Sequence, residues 1–224
     1  MSWKRPPLLF LFALASWCSL AQPAPDSTRS FALGMGVGGV AFRGDLQEQY
    51  QGYSLEGSLY LVLNSEAFFS PSVLINVGSI TAQNPNVEAV FLPNGDRITP
   101  PRFVRTSFQG IAFLPRFRLV SYGPLRVHAA AGVGLFRYVP RDAEGNEWLS
   151  AFDSRLSSES FSPSAIQIPL QLQVGWRWPT GLQWQAQASL LNPITDYVDN
   201  LSQLGTLPGN DNLLAFRLMI LYDF

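Results

Sequence analysis

The side chains with the most concentrated potential for chemistry are Arg116, Arg118, Arg126, His128 and Arg177. In extended chain, where alternate side chains share a face, the first four point one way beside a short turn and Arg177 adjoins another. Guanidinium groups hold carboxylates and phosphates through paired hydrogen bonds. Gathered in a confined interior, they require counter-charge or water. The nearest acid that the pattern places is Asp223. Two readings follow. One is a network of Arg, Gln, Asp and water that fills the interior. The other is a cationic mouth that receives an acidic segment of a partner.

Catalysis finds little footing. His128 is the only histidine, and it falls beside a tight turn, away from the long polar loops that hold most of the acids. A Ser/His/Asp triad therefore lacks its base. The loop acids Asp142, Glu144, Glu147 and Asp153 could hold a weak calcium ion, but a solvated loop explains them equally. No catalytic residue, metal site or cofactor is assigned, and the expectation is that the protein is not an enzyme. Arg43-Gly44-Asp45 spells a cell-adhesion tripeptide that is short enough to arise by chance.

The elements that would position these groups are strands. The run from Leu214 to Phe224 alternates strictly, with Leu214, Phe216, Leu218, Ile220, Tyr222 and Phe224 on one face. Such a strand presents its apolar face to lipid and its mixed face to a lumen. Its terminal phenylalanine is the expected mark for the barrel-assembly machinery. Seven further strands are expected: 31–42, 53–63, 67–82, 103–120, 125–138, 164–178 and 182–191. In the first, Gly34, Gly36 and Gly38 face the lumen, where small residues allow tight bending. In the sixth, Ile166 to Trp178 alternate with Gln167, Gln171, Gln173 and Arg177. Connections alternate long and short, with tight turns at 64–66, 121–124 and 179–181. Short turns on the periplasmic side and long loops outside characterise outer-membrane barrels. Trp176, Trp178, Trp184, Tyr222 and Phe224 then form a periplasmic aromatic girdle. The expected fold is all-β: an eight-stranded antiparallel up-and-down transmembrane β-barrel over 31–224, with a lumen filled by side chains.

The remaining features set the compartment. Met1 to Ala21 reads as a signal peptide, with Lys4 and Arg5 before an apolar core, and cleavage is expected after Ala21. Cys18 follows Trp17, a poor fit for lipid attachment. Residues 22–30 form a short periplasmic lead. Removing Lys4 and Arg5 from the 15 basic residues leaves 13 against 16 acidic ones, which argues against nucleic acid as a partner. The single cysteine lies in the leader, so the mature chain has no disulfide or thiolate site. Outer-membrane lipid is the expected surroundings, and the cell outer membrane the expected location.

Two segments resemble a known family. Residues 31–46 are similar to the first strand of small outer-membrane barrels from Bacteroidetes: a glycine-rich strand, an aromatic residue, then Gly44, Asp45 and Leu46 at the first loop. Thr195, Asp196, Tyr197, Val198 and Asp199, running on to Ser202, resemble that family's segment before the last strand. Most members have no assigned function. One branch is the barrel of the type IX secretion machinery, which associates with a periplasmic ring of lipoprotein and partner protein. The resemblance implies a docking role beside such a partner. The structural alternative is that Asp196, Tyr197 and Asp199 fold the last external loop over the barrel mouth. A surface binding module acting through the long loops, and a narrow channel, are the remaining readings.

Overall fold

The computed structural model describes residues 30–43, 54–83, 90–91, 97–98, 103–141, 145, 147, 162–195, 198 and 212–224. The expected leader and all but the last residue of the 22–30 lead lie outside them. Twelve strand segments follow in order: β1 (Phe31–Arg43), β2 (Ser54–Leu63), β3 (Phe69–Gln83), β4 (Val90–Phe91), β5 (Arg97–Ile98), β6 (Phe103–Tyr122), β7 (Leu125–Ala131), β8 (Val133–Arg141), β9 (Ser164–Gln167), β10 (Leu170–Arg177), β11 (Leu182–Leu191) and β12 (Asn212–Asp223). β4 and β5 pair only with each other, as a small hairpin inside a stretch that the sequence reads as plain loop.

The other ten segments form a closed ring of eight antiparallel strands. β1 pairs β2, β2 pairs β3 and β3 pairs β6. The ring continues through β7–β8, β9–β10, β11 and β12, and β12 pairs β1 to close it. Two expected strands are each broken once. β7 and β8 are halves of the fifth, and β9 and β10 of the sixth. The pairing register does not change across either break. Continued through the gap, it sets Pro115 of β6 opposite Ala131 and Pro169 opposite Gly132. Proline has no N–H to give a ladder, so two prolines flanking the 131–132 step interrupt it from both sides. Gly132 N–H still reaches the Pro169 carbonyl at 3.1 Å. A side chain at Gly132 would lie 1.9 Å from the Phe113 carbonyl oxygen, so the walls close here only around glycine.

The tight turns and both ends of the barrel lie together. Asn64, Gly123 and Gly181 adopt left-handed backbone, with φ of 53°, 55° and 85°. Asparagine and glycine tolerate this at low cost. Phe224 donates its N–H to the Phe31 carbonyl at 2.8 Å, and their rings stack at 4.8 Å between centroids.

The barrel is inverted relative to a water-soluble protein. Leu55, Val37 and Leu218 on its outer wall are 80%, 70% and 69% exposed. Its interior buries Glu56, Arg116, Arg217, His128 and a series of glutamines and serines. That polarity suits a wall in hydrocarbon, where every backbone group must pair within the ring. Two apolar layers fill the lumen. Tyr60, Val62, Leu74, Leu114, Met219 and Leu221 occupy the turn end. Phe108, Phe136, Tyr138, Leu191, Val198 and Leu213 occupy the loop end.

Candidate functional site

The five cationic and imidazole groups do not act as one cluster. On β6, alternation turns Ala112, Leu114 and Arg116 inward, and Arg116 is 2% exposed. Its Nη2 donates to the Ser65 carbonyl in the first tight turn at 3.3 Å. Among the described residues its Nε and Nη1 have no hydrogen-bond partner. Arg118 stands directly across from His128, which in turn stands across from Gln173. His128 is equally buried, and neither ring nitrogen is bonded among the described residues. The ladder slips one residue between Arg118 and Val120, and this bulge leaves Leu119 and Val120 both exposed at the rim. Arg126 folds its Nη1 back onto the Gly123 and Leu125 carbonyls and so caps the second turn.

Arg177 separates from this group. Its Nε lies 3.0 Å from Asp223 Oδ2, and its Nη1 contacts Glu66. The alternation pattern identifies Asp223 but not Glu66, which sits in a turn and has no strand period to reveal it. Arg116, Arg118 and Arg126 are left without an acid in ion-pair contact among the described residues. Between the second and third turns opens a cleft of about 560 Å³, lined by Pro124, Arg126, Trp176, Arg177, Trp178 and Pro179. The mouth therefore carries positive charge within the lumen, with a shallow aromatic and cationic cleft on its rim.

The aromatic residues lie at one level on the outside. Trp176 pairs with Trp184, Trp184 with Ile220, and Leu182 with Tyr222. Trp178 and Phe224 are also exposed beside them. The loop motif is mostly beyond reach: Gly44, Asp45, Leu46, Asp196, Tyr197 and Asp199 lie outside the described residues. Thr195 Oγ1 hydrogen-bonds the Tyr138 hydroxyl at 3.0 Å. Val198 is fully buried in the upper apolar layer, and its carbonyl accepts a hydrogen bond from Thr106 Oγ1 at 2.7 Å. At least this point of the last loop is folded into the mouth.

Sequence reading also misses the central ion pair. Arg217 Nε lies 2.5 Å from Glu56 Oε1, and Nη2 donates to Oε2 at 3.1 Å. Ser189 Oγ accepts from Arg217 Nη1 at 2.6 Å. Glu56 and Arg217 both fall opposite Gly38, on either side of β1. A Cβ at Gly38 would lie 2.9 Å from Arg217 Cγ, so the pair joins across a gap that only glycine leaves. Alternation gives each residue its face. Only the three-strand register shows that the two meet.

No protein-family profile and no curated protein matches the chain. Solved structures do. The Neisserial surface protein A of Neisseria superposes with a TM-score of 0.50 at 9% identity, over 87% of this chain and 97% of that one. The outer membrane protein OprG of Pseudomonas aeruginosa does so with a TM-score of 0.50 at 7% identity, over 88% of this chain and 96% of that one. At these identities the likeness is one of fold. Joined to the inverted polarity of the wall, that fold makes this chain a β-barrel of the outer membrane.

Proposed function

We propose that the barrel is a non-enzymatic docking protein of the cell envelope whose periplasmic mouth receives an acidic segment of a periplasmic protein or lipoprotein. The carrying observation is the excess of cationic groups at the turn end: Arg116, Arg118 and Arg126 have no acid in ion-pair contact among the described residues. Buried or half-buried guanidinium groups left in this state gain from a carboxylate supplied from outside. The rim cleft beside Trp176 and Trp178 offers apolar surface to the same segment. The resemblance of 31–46 and 195–202 to the Bacteroidetes barrel family favours one partner, the periplasmic ring of type IX secretion. The test is a mild-detergent pull-down from native outer membrane, comparing wild type with the variant in which Arg116, Arg118 and Arg126 are glutamine. Stoichiometric recovery of a periplasmic protein by wild type and its loss in the correctly folded variant is expected. Equal recovery from both would sink the reading.

A second reading, surface binding through the long external loops, draws on Val198. A loop tied down at one buried point loses less entropy on binding than a free one. Deleting the external loops while keeping the barrel separates the two readings, since docking at the periplasmic mouth survives the deletion.

A further inference from the structure

A second set of arginines lies at the other end of the barrel and on its outer wall. Arg105 and Arg137 are exposed, whereas Thr106, Phe108 and Tyr138 beside them in sequence are buried in the lumen. Arg141 follows Arg137 on the same face of β8. On the β7–β8 strand the outward residues are apolar from Leu125 to Leu135. Ten residues at about 3.3 Å each, tilted by about 40°, rise roughly 25 Å, the height of the apolar band of such barrels. Arg137 is the next outward residue. It therefore stands at the upper edge of the hydrocarbon, at the level of the outer-leaflet headgroups.

The pairing there is unfavourable without an anion. Arg105 lies directly opposite Arg141, and Arg137 opposite Gln109. Like charges facing each other across a ladder repel. Arg141 contacts Glu147 at 3.0 Å and the Gly145 carbonyl at 2.9 Å. Among the described residues no acid contacts Arg105 or Arg137. The flanking strands add hydroxyl groups, with Thr81 across from Arg105 and Ser164 across from Arg137. Just below lie Ile111 and Leu135, both exposed and apolar. A ligand suited to this surface has phosphate on top and acyl chain beneath.

We propose that Arg105, Arg137 and Arg141 on the outer wall of β6 and β8 bind phosphate groups of outer-leaflet lipid headgroups. The site is independent of any docking at the periplasmic mouth. Its test uses the refolded full barrel, bisphosphorylated lipid A and dephosphorylated lipid A, with retained lipid counted by native mass spectrometry. Wild type is expected to retain the phosphorylated form in preference. Replacing all three residues, R105Q/R137Q/R141Q, is expected to weaken retention by about a hundredfold, since three arginines near an anionic leaflet contribute on the order of 1 kcal/mol each. Equal retention of the two lipids by wild type overturns the proposal, as does wild-type retention by the triple variant. If the triple variant does not refold, Arg137→Gln alone carries the same comparison. Inorganic phosphate is added as the remaining arm. Displacement of the lipid by matched free phosphate overturns the lipid assignment, and failure to displace it supports the assignment.

Discussion

The deepest ion pair in the lumen, Glu56 with Arg217, has both side chains fully shielded and further bonds from Asn76 and Ser189. Breaking such a pair from one side strands a charge, at a cost of about 3–5 kcal/mol. Glu56→Gln or Arg217→Met should therefore destabilise the barrel by that order. The double change E56M/R217M should recover much of the loss, because apolar replacement of a whole buried pair is often neutral. Unfolding in denaturant, followed by heat-modifiable gel migration, measures all three. A double variant as weak as the worse single one would contradict this account. At this scale the sequence revealed which way a side chain faces more readily than what it touches. Arg116 and Arg126 bond to the tight turns, and Arg118 and His128 face each other between them. The partnership of Arg177 with Glu66, and that of Glu56 with Arg217, depended on a turn and on a register that alternation does not encode.

Strand positions were more legible. The seventh strand matches the expected Leu182–Leu191, and other ends shift by a few residues. Alternation succeeds here because one face meets hydrocarbon and the other a packed lumen, so a slip of one residue would reverse every side chain. The expectation failed where proline intervened. Pro115 and Pro169 divide the fifth and sixth strands at one place, which periodicity passes over because the face pattern continues unchanged. Gly132 at that place should tolerate no substitution: Gly132→Val is expected to cost about 3 kcal/mol or more, through backbone collision with Phe113. Recovery of the heat-modifiable form at wild-type yield would show that the walls can part.

At the scale of the molecule, closure was predictable from an even number of strands and from alternating connection lengths. Lumen contents were predictable only as a class. Tyr60, Phe108, Phe136 and Arg217 each show 2% exposure or less, and they fill the interior in layers. An eight-stranded ring leaves room for side chains and little else. Planar-bilayer recording of the refolded barrel should accordingly show no open-pore steps. Discrete conductance would mean that the layers separate in a membrane. The β4–β5 hairpin was not foreseen, since its loop has no face pattern; for the last loop the expectation reached its folding over the mouth but not Val198 as the buried residue.

The contact between Phe31 and Phe224 has a practical consequence. The two ends of the wall already touch through a hydrogen bond and a stacked pair of rings. A short linker could join them, and the chain could be reopened within an external loop, without removing a rung of the ladder. Such a circular permutant would keep every strand pairing and move both termini from the turn end of the barrel to the loop end, where an affinity handle could be read on the refolded protein.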